Sequence, residues 1–213
     1  HPIFAANINP YLVDAPDVVL PTARYALCDV PPISEGSALI DGGHFLLTES
    51  ERAALLELSA DNAAMVRRLL SGDDFINASG RWSLWLKGAS PRALRAAPMI
   101  LERIDRVRQF RMSRNRAATQ TLASSPTLFG EERQPDSPYL FIPKTSSERR
   151  RFVPIGFIEP EVLINNTSLF VDGASAYHFG ILSSTMHNAW MRAVGGRLES
   201  RYRYSAAIVY NNF

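Results

Sequence analysis

The sequence has little of what membrane proteins, disulfide-bonded proteins and cysteine-rich metal sites require. A single cysteine, Cys28, in 213 residues excludes an internal disulfide and any site built from several cysteines. No apolar run approaches the roughly 18 residues of a membrane span, so the sequence predicts no transmembrane helix. The start, His1-Pro2-Ile3, shows no charged-then-apolar signal region, so we expect no export signal and a cytoplasmic protein. The 46% of apolar residues are enough for a hydrophobic core.

Lysine is also scarce, because 21 of the 23 basic residues are arginine. Arginine offers a planar fork of donors that matches phosphate groups and the edge of guanine, whereas lysine offers a single point charge. A GC-rich genome would produce the same bias through its codons, so this composition alone does not identify a partner.

The nearly neutral total charge of +2 conceals an uneven distribution along the chain. Residues 1–66 carry 9 acidic and 2 basic side chains, whereas residues 67–116 carry 12 basic and 4 acidic ones. The last segment, residues 117–213, has a net charge of only +1. This asymmetry predicts that one side of the molecule faces a polyanion.

The pattern of apolar residues predicts an α+β fold, with a mixed, helix-containing front and a mainly antiparallel β region that has packed helices. We expect short strands and loops over residues 1–47. Helices are expected after the capping box Thr48-Glu49-Ser50-Glu51, from about Asp61 to Ser71-Gly72, at Pro91, from Pro98 to about Ala118, and over 184–194. Strands are expected over 81–86, 139–142, 152–158, 162–164, 168–171, 177–182 and 204–210.

Signatures of catalysis are missing. His44, His178 and His187 lack the spacing of metal ligands, so we interpret each as an ordinary hydrogen-bonded residue. No glycine-rich cofactor loop, phosphate-binding loop or serine nucleophile motif occurs. Asn9-Pro10-Tyr11 is faintly similar to the N-P-P-Y/F motif of amino-methyltransferases, but it has one proline and no cofactor loop before it. We therefore expect no catalytic residue and no metal site in this chain.

The helix after Pro98 carries a stripe of residues that changes from apolar to basic. The stripe, with spacings of 4, 3, 4 and 3 on one helix face, consists of Ile100, Ile104, Val107, Arg111 and Arg114. It predicts either a helix that is buried at its start and reaches an anion at its end, or a solvated end whose cations favour the helix dipole.

An arginine-rich segment, Ser146 to Arg151, leads into a predicted strand. In extended geometry, Glu148 and Arg150 point away from the side that carries Val153. A glutamate and an arginine two residues apart on one face can read a C·G base pair, with arginine on guanine and glutamate on the cytosine amine. A solvated cross-strand salt bridge explains the same spacing, and spacing alone favours that simpler interpretation.

A second basic segment, Arg197 to Tyr204, alternates arginine with tyrosine. This pattern suits phosphate contacts and base stacking. An edge strand whose long side chains cover a core gives the same pattern, so both interpretations stay open here.

Seven segments form an ordered set that covers essentially all 213 residues. They are Asn7–Leu12, Asp41-Gly42-Gly43, Phe75–Asn77, Arg81–Leu86, Pro143–Gly156, Phe179–Trp190 and Gly196–Phe213. Together they resemble the MmeI-like family of bacterial type II restriction–modification enzymes, and the last two are the most specific. Trp82-Ser83-Leu84-Trp85 stands where the family has Trp-Cys-Leu-Trp, a change between small residues.

The resemblance implies a place for this chain within a larger enzyme. In that family, one polypeptide holds a nuclease region, a helical connector, an adenine-N6 methyltransferase core that uses S-adenosylmethionine, and a target recognition domain. By this resemblance, residues 71–213 are the target recognition domain and residues 1–70 connect it to the core. We expect a fragment, because the initiator methionine, the N-P-P-Y/F motif and the Pro-Trp-Pro that follows Phe213 in family members are missing.

The resemblance also implies which residues contact DNA. Specificity in this family depends on a charged pair two residues apart near the S-S-E-R segment, which favours Glu148 and Arg150 for base readout. The neighbours expected to face the major groove with them are Lys144, Ser146 and Ser147. The residues expected to hold phosphates are Arg111, Arg114, Arg116, Arg149, Arg201 and Arg203.

The resulting hypothesis is sequence-specific recognition of double-stranded DNA for a bacterial adenine methyltransferase. The chain itself would be inactive and without cofactor, and the core would flip out and methylate the adenine with S-adenosylmethionine. Two alternatives stay open. One is a complete enzyme with an unrecognised site, which would bind S-adenosylmethionine, and the other is an interaction domain that docks on the methyltransferase core without binding DNA by itself.

Overall fold

The computed structural model describes residues 4–10, 12 and 14–213, and the chain divides into two units. The first unit consists of His1–Glu35, Pro135–Glu159 and Thr167–Phe213, and the second of Gly36–Gln134 and Pro160–Asn166. The interpretations of His1-Pro2-Ile3 and of Tyr11 fall outside the described residues. The expected boundary between residues 70 and 71 lies within the second unit, so it does not separate the units and stays a functional prediction.

Short helices and strands alternate through both units. The helices are α1 (Glu49–Leu58), α2 (Gly72–Ile76), α3 (Pro91–Ala96), α4 (Pro98–Met112), α5 (Ala117–Thr121), α6 (Ala176–Leu182) and α7 (Thr185–Val194). The strands are β1 (Ile33–Glu35), β2 (Leu46–Leu47), β3 (Val66–Leu70), β4 (Arg81–Leu84), β5 (Tyr139–Pro143), β6 (Thr145–Ser146), β7 (Gly156–Ile158), β8 (Leu163–Ile164), β9 (Ser168–Asp172), β10 (Gly196–Leu198) and β11 (Arg201–Arg203). This composition confirms the predicted α+β class. Among the described residues, no helix is long and apolar enough to cross a bilayer.

The second unit is a four-stranded sheet that shares one hydrophobic core with α1 and α4. The strand order is β2-β4-β3-β8, and β3 and β8 are the parallel neighbours in it. Leu55 of α1 and Ile100 of α4 are completely buried in this core. The predicted capping box starts α1, because the Thr48 hydroxyl accepts a hydrogen bond from the Glu51 N–H and the Glu51 carboxylate accepts one from the Thr48 N–H.

The helix predicted from Asp61 is wrong. Ala60–Met65 form a 3-10 turn, and the chain then enters β3, where Val66 lies opposite Leu84 of β4. β3 is flanked by strands on both sides, so burial of its apolar residues comes from the sheet and the core beneath it. Tertiary pairing thus overrides a spacing that fits a helix equally well.

Ser71-Gly72 begins α2 and does not end a helix. The Ser71 hydroxyl accepts a hydrogen bond from the Asp74 N–H, and the Asp74 carboxylate accepts one from the Ser71 N–H at 2.9 Å. The segment is therefore a capping box with aspartate at its third position. Gly72 suggested a helix end because glycine is common after the last residue of a helix.

The first unit contains two antiparallel sheets and two helices. The sheets have the orders β1-β9-β5-β7 and β10-β11-β6, and every pairing in them is antiparallel. Residues of β5, β9, α7 and the C-terminal segment share its core, including Leu140, Val171, Met191 and Val209. This arrangement confirms the predicted antiparallel β region with packed helices.

The strand predicted over residues 177–182 is a helix, α6. The alternating Tyr177, Phe179 and Ile181 mimic a half-buried strand, but all three are exposed, so their alternation does not reflect burial. A local cap starts the helix instead, because the Ser175 N–H donates to Nδ1 of His178 at 3.0 Å.

The strand predicted over residues 204–210 is also wrong. β11 ends at Arg203, and Ala206–Tyr210 form a π-helical turn. The Tyr210 hydroxyl donates to the Pro31 carbonyl oxygen at 2.7 Å, and the Asn211 side chain donates to that of Ala23 at 2.8 Å. These side-chain contacts tie the end of the chain to the N-terminal part of the first unit.

Candidate nucleic-acid interface

A β-turn after β6 carries the charged residues Glu148, Arg149 and Arg150. We refer to residues 147–150 as the Ser147 turn. The Arg150 N–H donates to the Ser147 carbonyl oxygen at 3.1 Å, and the Arg149 N–H donates to the Ser147 hydroxyl at 3.2 Å. These bonds join backbone N–H groups to Ser147 on the inner side of the turn. The three charged side chains lie on its outer side and are exposed.

The Ser147 turn replaces the beginning of the predicted strand. β7 contains only Gly156–Ile158, and residues 151–155 are irregular. Pro154 lies in this irregular stretch and has no N–H for a sheet ladder. The predicted strand alternation of Glu148 and Arg150 is therefore wrong, although both side chains reach solvent.

The charged side chains of the turn form few and weak interactions within the protein. Nε of Arg149 lies 3.8 Å from Oε1 of Glu148, and 91% of the Arg149 side chain is exposed. Exposed ion pairs of this kind contribute little energy. Within the described part of the chain, the Arg150 side chain has no hydrogen-bond or ion-pair partner. Both arginines can therefore bind an external acceptor at little internal cost.

The β10–β11 hairpin places further arginines beside this turn. Tyr202 of β11 pairs with Ser146 of β6 in antiparallel register, so Arg201 comes next to the start of the turn. Arg201 and Arg203 are exposed, whereas Tyr202 between them packs on the core. Arg201 also forms an exposed ion pair of 3.2 Å with Glu199. The hairpin and the Ser147 turn thus form one basic surface of the first unit.

Arg197 of the same hairpin has a structural role. Its guanidinium stacks 4.1 Å from the ring centroid of Tyr202 and donates to the carbonyl oxygen of Arg192 at 3.2 Å. The edge-strand interpretation is supported for Arg197 and Tyr202, whereas phosphate contact by Arg201 and Arg203 stays a prediction. Tyr202 and Arg197 cover the core, while Arg201 and Arg203 are free to face a ligand.

The polar neighbours expected to face the major groove differ in accessibility. Nζ of Lys144 lies 2.6 Å from Oε1 of Glu35, and 22% of the Lys144 side chain is exposed. Ser146 is only 5% exposed. Ser147 belongs to the turn and is partly accessible. The Lys144 side chain is thus engaged with Glu35, and burial of Ser146 argues against contact of its side chain with a base.

Arg111 of the second unit is buried and structural. Its guanidinium donates five hydrogen bonds of 2.7–3.1 Å to the carbonyl oxygens of Leu39, Ile40, Leu122, Ser125 and Leu128. Burial lowers the pKa of Arg111, and the nearby Asp41 carboxylate partly offsets this effect. The prediction that Arg111 holds a phosphate is therefore wrong, because the guanidinium is 0% exposed and fixes loops around α4.

The remaining arginines of the helix stripe lie beyond the end of α4. The helix stops at Met112, earlier than predicted, and Arg114 and Arg116 follow in an exposed connection to α5. The Arg114 guanidinium stacks 4.0 Å from the ring centroid of Phe110. Both arginines are accessible to an anion, and they belong to the second unit, whereas the Ser147 turn belongs to the first.

Two of the three histidines singled out in the sequence have hydrogen-bond partners for their rings. Nε2 of His187 lies 2.9 Å from the Tyr204 hydroxyl, and burial lowers the pKa of His187 to about 4. His178 caps α6 through its ring nitrogen. These contacts confirm the interpretation of both as hydrogen-bonded residues. Among the described residues, no group of three or more histidine, cysteine, aspartate or glutamate side chains could hold a metal ion.

Two residues of α7 that the sequence patterns did not single out contact the chain just after the turn. Oδ1 of Asn188 accepts a hydrogen bond from the Val153 N–H at 2.8 Å, and the Arg192 guanidinium donates to the Arg151 carbonyl oxygen. Helical spacing gives one available signal, because it places the polar Asn188 beside the apolar positions 191 and 194 on the buried face of α7.

Comparison with known proteins identifies relatives along the whole described chain. The family model described as MmeI, target recognition domain, matches residues 14–213. DNA methyltransferase A of Bacillus subtilis (strain 168) is 31% identical over 208 residues, which are 98% of this chain and 24% of that protein. The structure of the type IIL restriction–modification enzyme MmeI in complex with DNA superposes with a TM-score of 0.90 at 45% identity.

These relatives are much longer than the present chain. The match to the MmeI structure covers 98% of this chain but 28% of that one. The chain therefore spans about a quarter of the length of the relatives it matches.

Proposed function

The chain belongs to the family of MmeI target recognition domains, and we propose that it recognises a specific base sequence in double-stranded DNA. The observation that carries this proposal is the Ser147 turn, which presents Glu148 and Arg150 to solvent on a hydrogen-bonded backbone. Arg201 of the adjacent hairpin adds positive charge at the same end of the sheet. An exposed turn with both donors and acceptors suits the major groove of DNA.

The two residues at the outside of the turn supply complementary chemistry. The Arg150 guanidinium can donate two parallel hydrogen bonds to O6 and N7 of guanine, and the Glu148 carboxylate can accept one from the amine of cytosine. Arg149 lies between them in the chain and is 91% exposed, which suits a phosphate contact. The base pair that the turn reads depends on how the domain docks in the groove.

Phosphate contacts would come from exposed arginines in both units. In the first unit these are Arg149, Arg201 and Arg203, and in the second Arg114 and Arg116. Arginine neutralises phosphates and releases condensed counterions, so affinity should fall steeply with salt. Arg114 and Arg116 lie in the basic stretch 67–116 of the sequence, whereas the arginines of the first unit lie in its nearly neutral last segment.

The enzymatic activity proposed for the whole protein lies outside this chain. We infer that the chain belongs to a cytoplasmic restriction–modification protein whose methyltransferase part transfers a methyl group from S-adenosylmethionine to adenine. The match to a DNA methyltransferase that is about four times longer supports this inference. A target adenine inside a duplex must be flipped out of the stack before it is methylated, and the methyltransferase part would supply the pocket that receives it.

Binding to a panel of duplexes tests the proposed function. The panel contains the preferred site and each of its single base-pair substitutions, and the protein is the full native polypeptide. Glu148→Gln keeps the shape of the side chain but replaces a carboxylate by an amide. We expect discrimination to fall by about 5- to 100-fold at one base pair, the range that one base contact supports.

Glu199→Gln is the matched control for this measurement. Glu199 lies in the neighbouring hairpin turn, and 79% of its side chain is exposed. We expect this variant to keep the full specificity profile. An equal loss of affinity on every duplex for Glu148→Gln, or no change at any position, would contradict the readout role of the Ser147 turn.

A second candidate function is docking on the methyltransferase part of the same protein. No charged residue occurs from Gly173 to Met191, although Tyr177 and Met186 are 71% and 73% exposed. An exposed, uncharged helical segment of this kind is typical of a protein interface. Tyr177→Arg together with Ile181→Arg should preserve the specificity profile for DNA but impair methylation, whereas unchanged methylation would contradict docking at α6.

A further inference from the structure

We propose that Asn188 and Arg192 of α7 are positioning residues that fix the Ser147 turn and thereby its base specificity. The inference rests on the proposed function of that turn. It concerns residues that touch the backbone of the following segment and do not contact DNA themselves.

The chain between the turn and β7 depends on α7 for its hydrogen bonds. Residues 151–155 form neither helix nor strand. Both hydrogen bonds that side chains of the described residues make to the backbone of this segment come from α7. They reach the Arg151 carbonyl oxygen and the Val153 N–H, which lie one and three residues after Arg150. The pairing of β6 with β11 fixes the chain before the turn, whereas α7 fixes the chain after it.

Asn188 has a single productive orientation. The residue is 0% exposed, and its Nδ2 donates to the Ser184 carbonyl oxygen at 2.9 Å and to that of Leu182 at 3.4 Å. These bonds direct Oδ1 towards the Val153 N–H, which donates a hydrogen bond to it at 2.8 Å. A buried amide that lost this partner would leave polar atoms unsatisfied, so the contact is difficult to break locally.

Arg192 lies one helical turn after Asn188 and connects the two basic parts of the surface. Its guanidinium donates to the Arg151 carbonyl oxygen, and its own carbonyl oxygen accepts from Arg197 at 3.2 Å. Arg197 in turn stacks on Tyr202, which lies between the exposed arginines of β11. Arg192 thus connects the chain after the Ser147 turn with the hairpin, which fixes the position of one relative to the other.

The helix that carries both residues is itself well anchored. The His187 ring bonds the Tyr204 hydroxyl, and the indole N–H of Trp190 donates to the Val209 carbonyl oxygen at 2.9 Å. A site that reads bases needs its side chains within about 0.5 Å of the productive geometry, which requires a rigid support. Asn188 and Arg192 transmit the rigidity of α7 to a turn that has few contacts of its own.

Arg192→Ala is the primary test, because Arg192 is only partly buried and its loss leaves the core intact. We expect discrimination at the base pair assigned through Glu148→Gln to fall by about fivefold or more, with the other positions unchanged. Arg192→Lys should restore most of this discrimination, because lysine can still donate to the Arg151 carbonyl oxygen. Hydrogen exchange of the Val153 amide should be faster in Arg192→Ala than in Arg192→Lys.

The outcomes separate this inference from the proposed function. If Glu148→Gln relaxes one position but Arg192→Ala relaxes none, the positioning role is wrong and the readout role stands. A uniform loss of affinity in Arg192→Ala would indicate a phosphate contact and would also overturn the inference. If neither variant changes the profile, the proposed readout fails and the positioning role fails with it. Asn188→Asp keeps an acceptor for the Val153 N–H but loses both donors that orient it. The assigned position should therefore lose discrimination in this variant too, and unchanged discrimination would contradict the role of Asn188.

Discussion

Nε2 of His187 lies 2.9 Å from the hydroxyl oxygen of Tyr204, and both residues are almost completely buried. Burial lowers the pKa of His187 to about 4 and raises the pKa of Tyr204 well above its ordinary value, with the nearby Tyr210 adding to the second shift. The pair is therefore neutral near pH 7, and the contact joins α7 to the chain just after β11. Protonation of His187 opposes the folded state because the charge would be buried without an acidic partner.

This relationship predicts a loss of stability in mild acid. The unfolded chain binds a proton at His187 near its ordinary pKa of 6.5, whereas the folded protein binds it only near 4. Between these values the unfolded state holds more protons, so the stability contribution is full above pH 6.5 and is lost as the pH falls towards 4. The upper limit is about 3 kcal/mol. Urea unfolding at pH 5.0 and 7.5 measures the difference.

His187→Gln provides the control, because glutamine keeps a hydrogen-bonding group for Tyr204 but does not titrate. Its stability should change little between pH 7 and 5.

Two carboxylates with shifted pKa values also contribute to acid sensitivity, because the pKa values of Glu51 and Asp74 are lowered from 4.5 and 3.8. The backbone hydrogen bond from Thr48 is the largest cause for Glu51. For Asp74, burial is the largest single cause and raises the pKa, but the combined effect of Ser71, Arg81 and Ser79 lowers it. Both act at lower pH, so an equal slope in wild type and His187→Gln above pH 5 would exclude the histidine as its source.

Arg111→Met should destabilise the protein strongly and affect DNA binding only through folding. The substitution retains much of the apolar volume but removes donors from five carbonyl oxygens. Buried polar groups without partners cost about 1–3 kcal/mol each, so we expect a loss of at least about 3 kcal/mol in the free energy of unfolding. Urea denaturation measures it. Arg116→Met, at an exposed position, should stay within about 0.5 kcal/mol of wild type.

Arg111 also shows which feature of the structure helix periodicity could not predict, namely the distant hydrogen-bond partners of a buried side chain. The spacing of the stripe correctly placed Ile100, Ile104 and Val107 on the buried face of α4, and Arg111 falls on that same face. Its long side chain is buried because loops more than 70 residues earlier in sequence, around Leu39 and Ile40, supply acceptors. Such partners are invisible to helix periodicity, which is why a structural arginine was expected to bind a phosphate.

The candidate site of the first unit also depends on contacts between residues that are distant in sequence. The Thr48 capping box is local, and the sequence predicted it, whereas the capping box of Ser71 was interpreted as a helix end. The Ser147 turn depends on a proline that interrupts a sheet and on the contact of Val153 with Asn188, which is 35 residues away. The identities of Glu148 and Arg150 as exposed residues could be predicted, but their presentation on a turn required the distant α7.

Arg201→Ala should weaken DNA binding and reduce its dependence on salt. If Arg201 contacts one phosphate, the slope of log affinity against log salt should become shallower by about 1, equally for all sequences. Fluorescence anisotropy across a salt series measures the slope. Arg24→Ala, which removes an exposed arginine of the same unit that stacks near Tyr25, should leave the slope unchanged. A change in sequence preference for Arg201→Ala would instead assign that residue to base readout.

Ser71→Ala tests the corrected start of α2. The hydroxyl of Ser71 accepts from the Asp74 N–H, and the Asp74 carboxylate accepts from the Ser71 N–H and hydroxyl, so the substitution removes two of three bonds in the cap. Loss of a serine cap costs about 1 kcal/mol of stability, typically within 0.5–2. Urea denaturation should show this loss, while Ser200→Ala in the exposed β10–β11 turn serves as the control. If Ser71 ended a helix, as the sequence pattern indicated, removal of its hydroxyl would leave stability nearly unchanged, so the size of the loss distinguishes the two local structures.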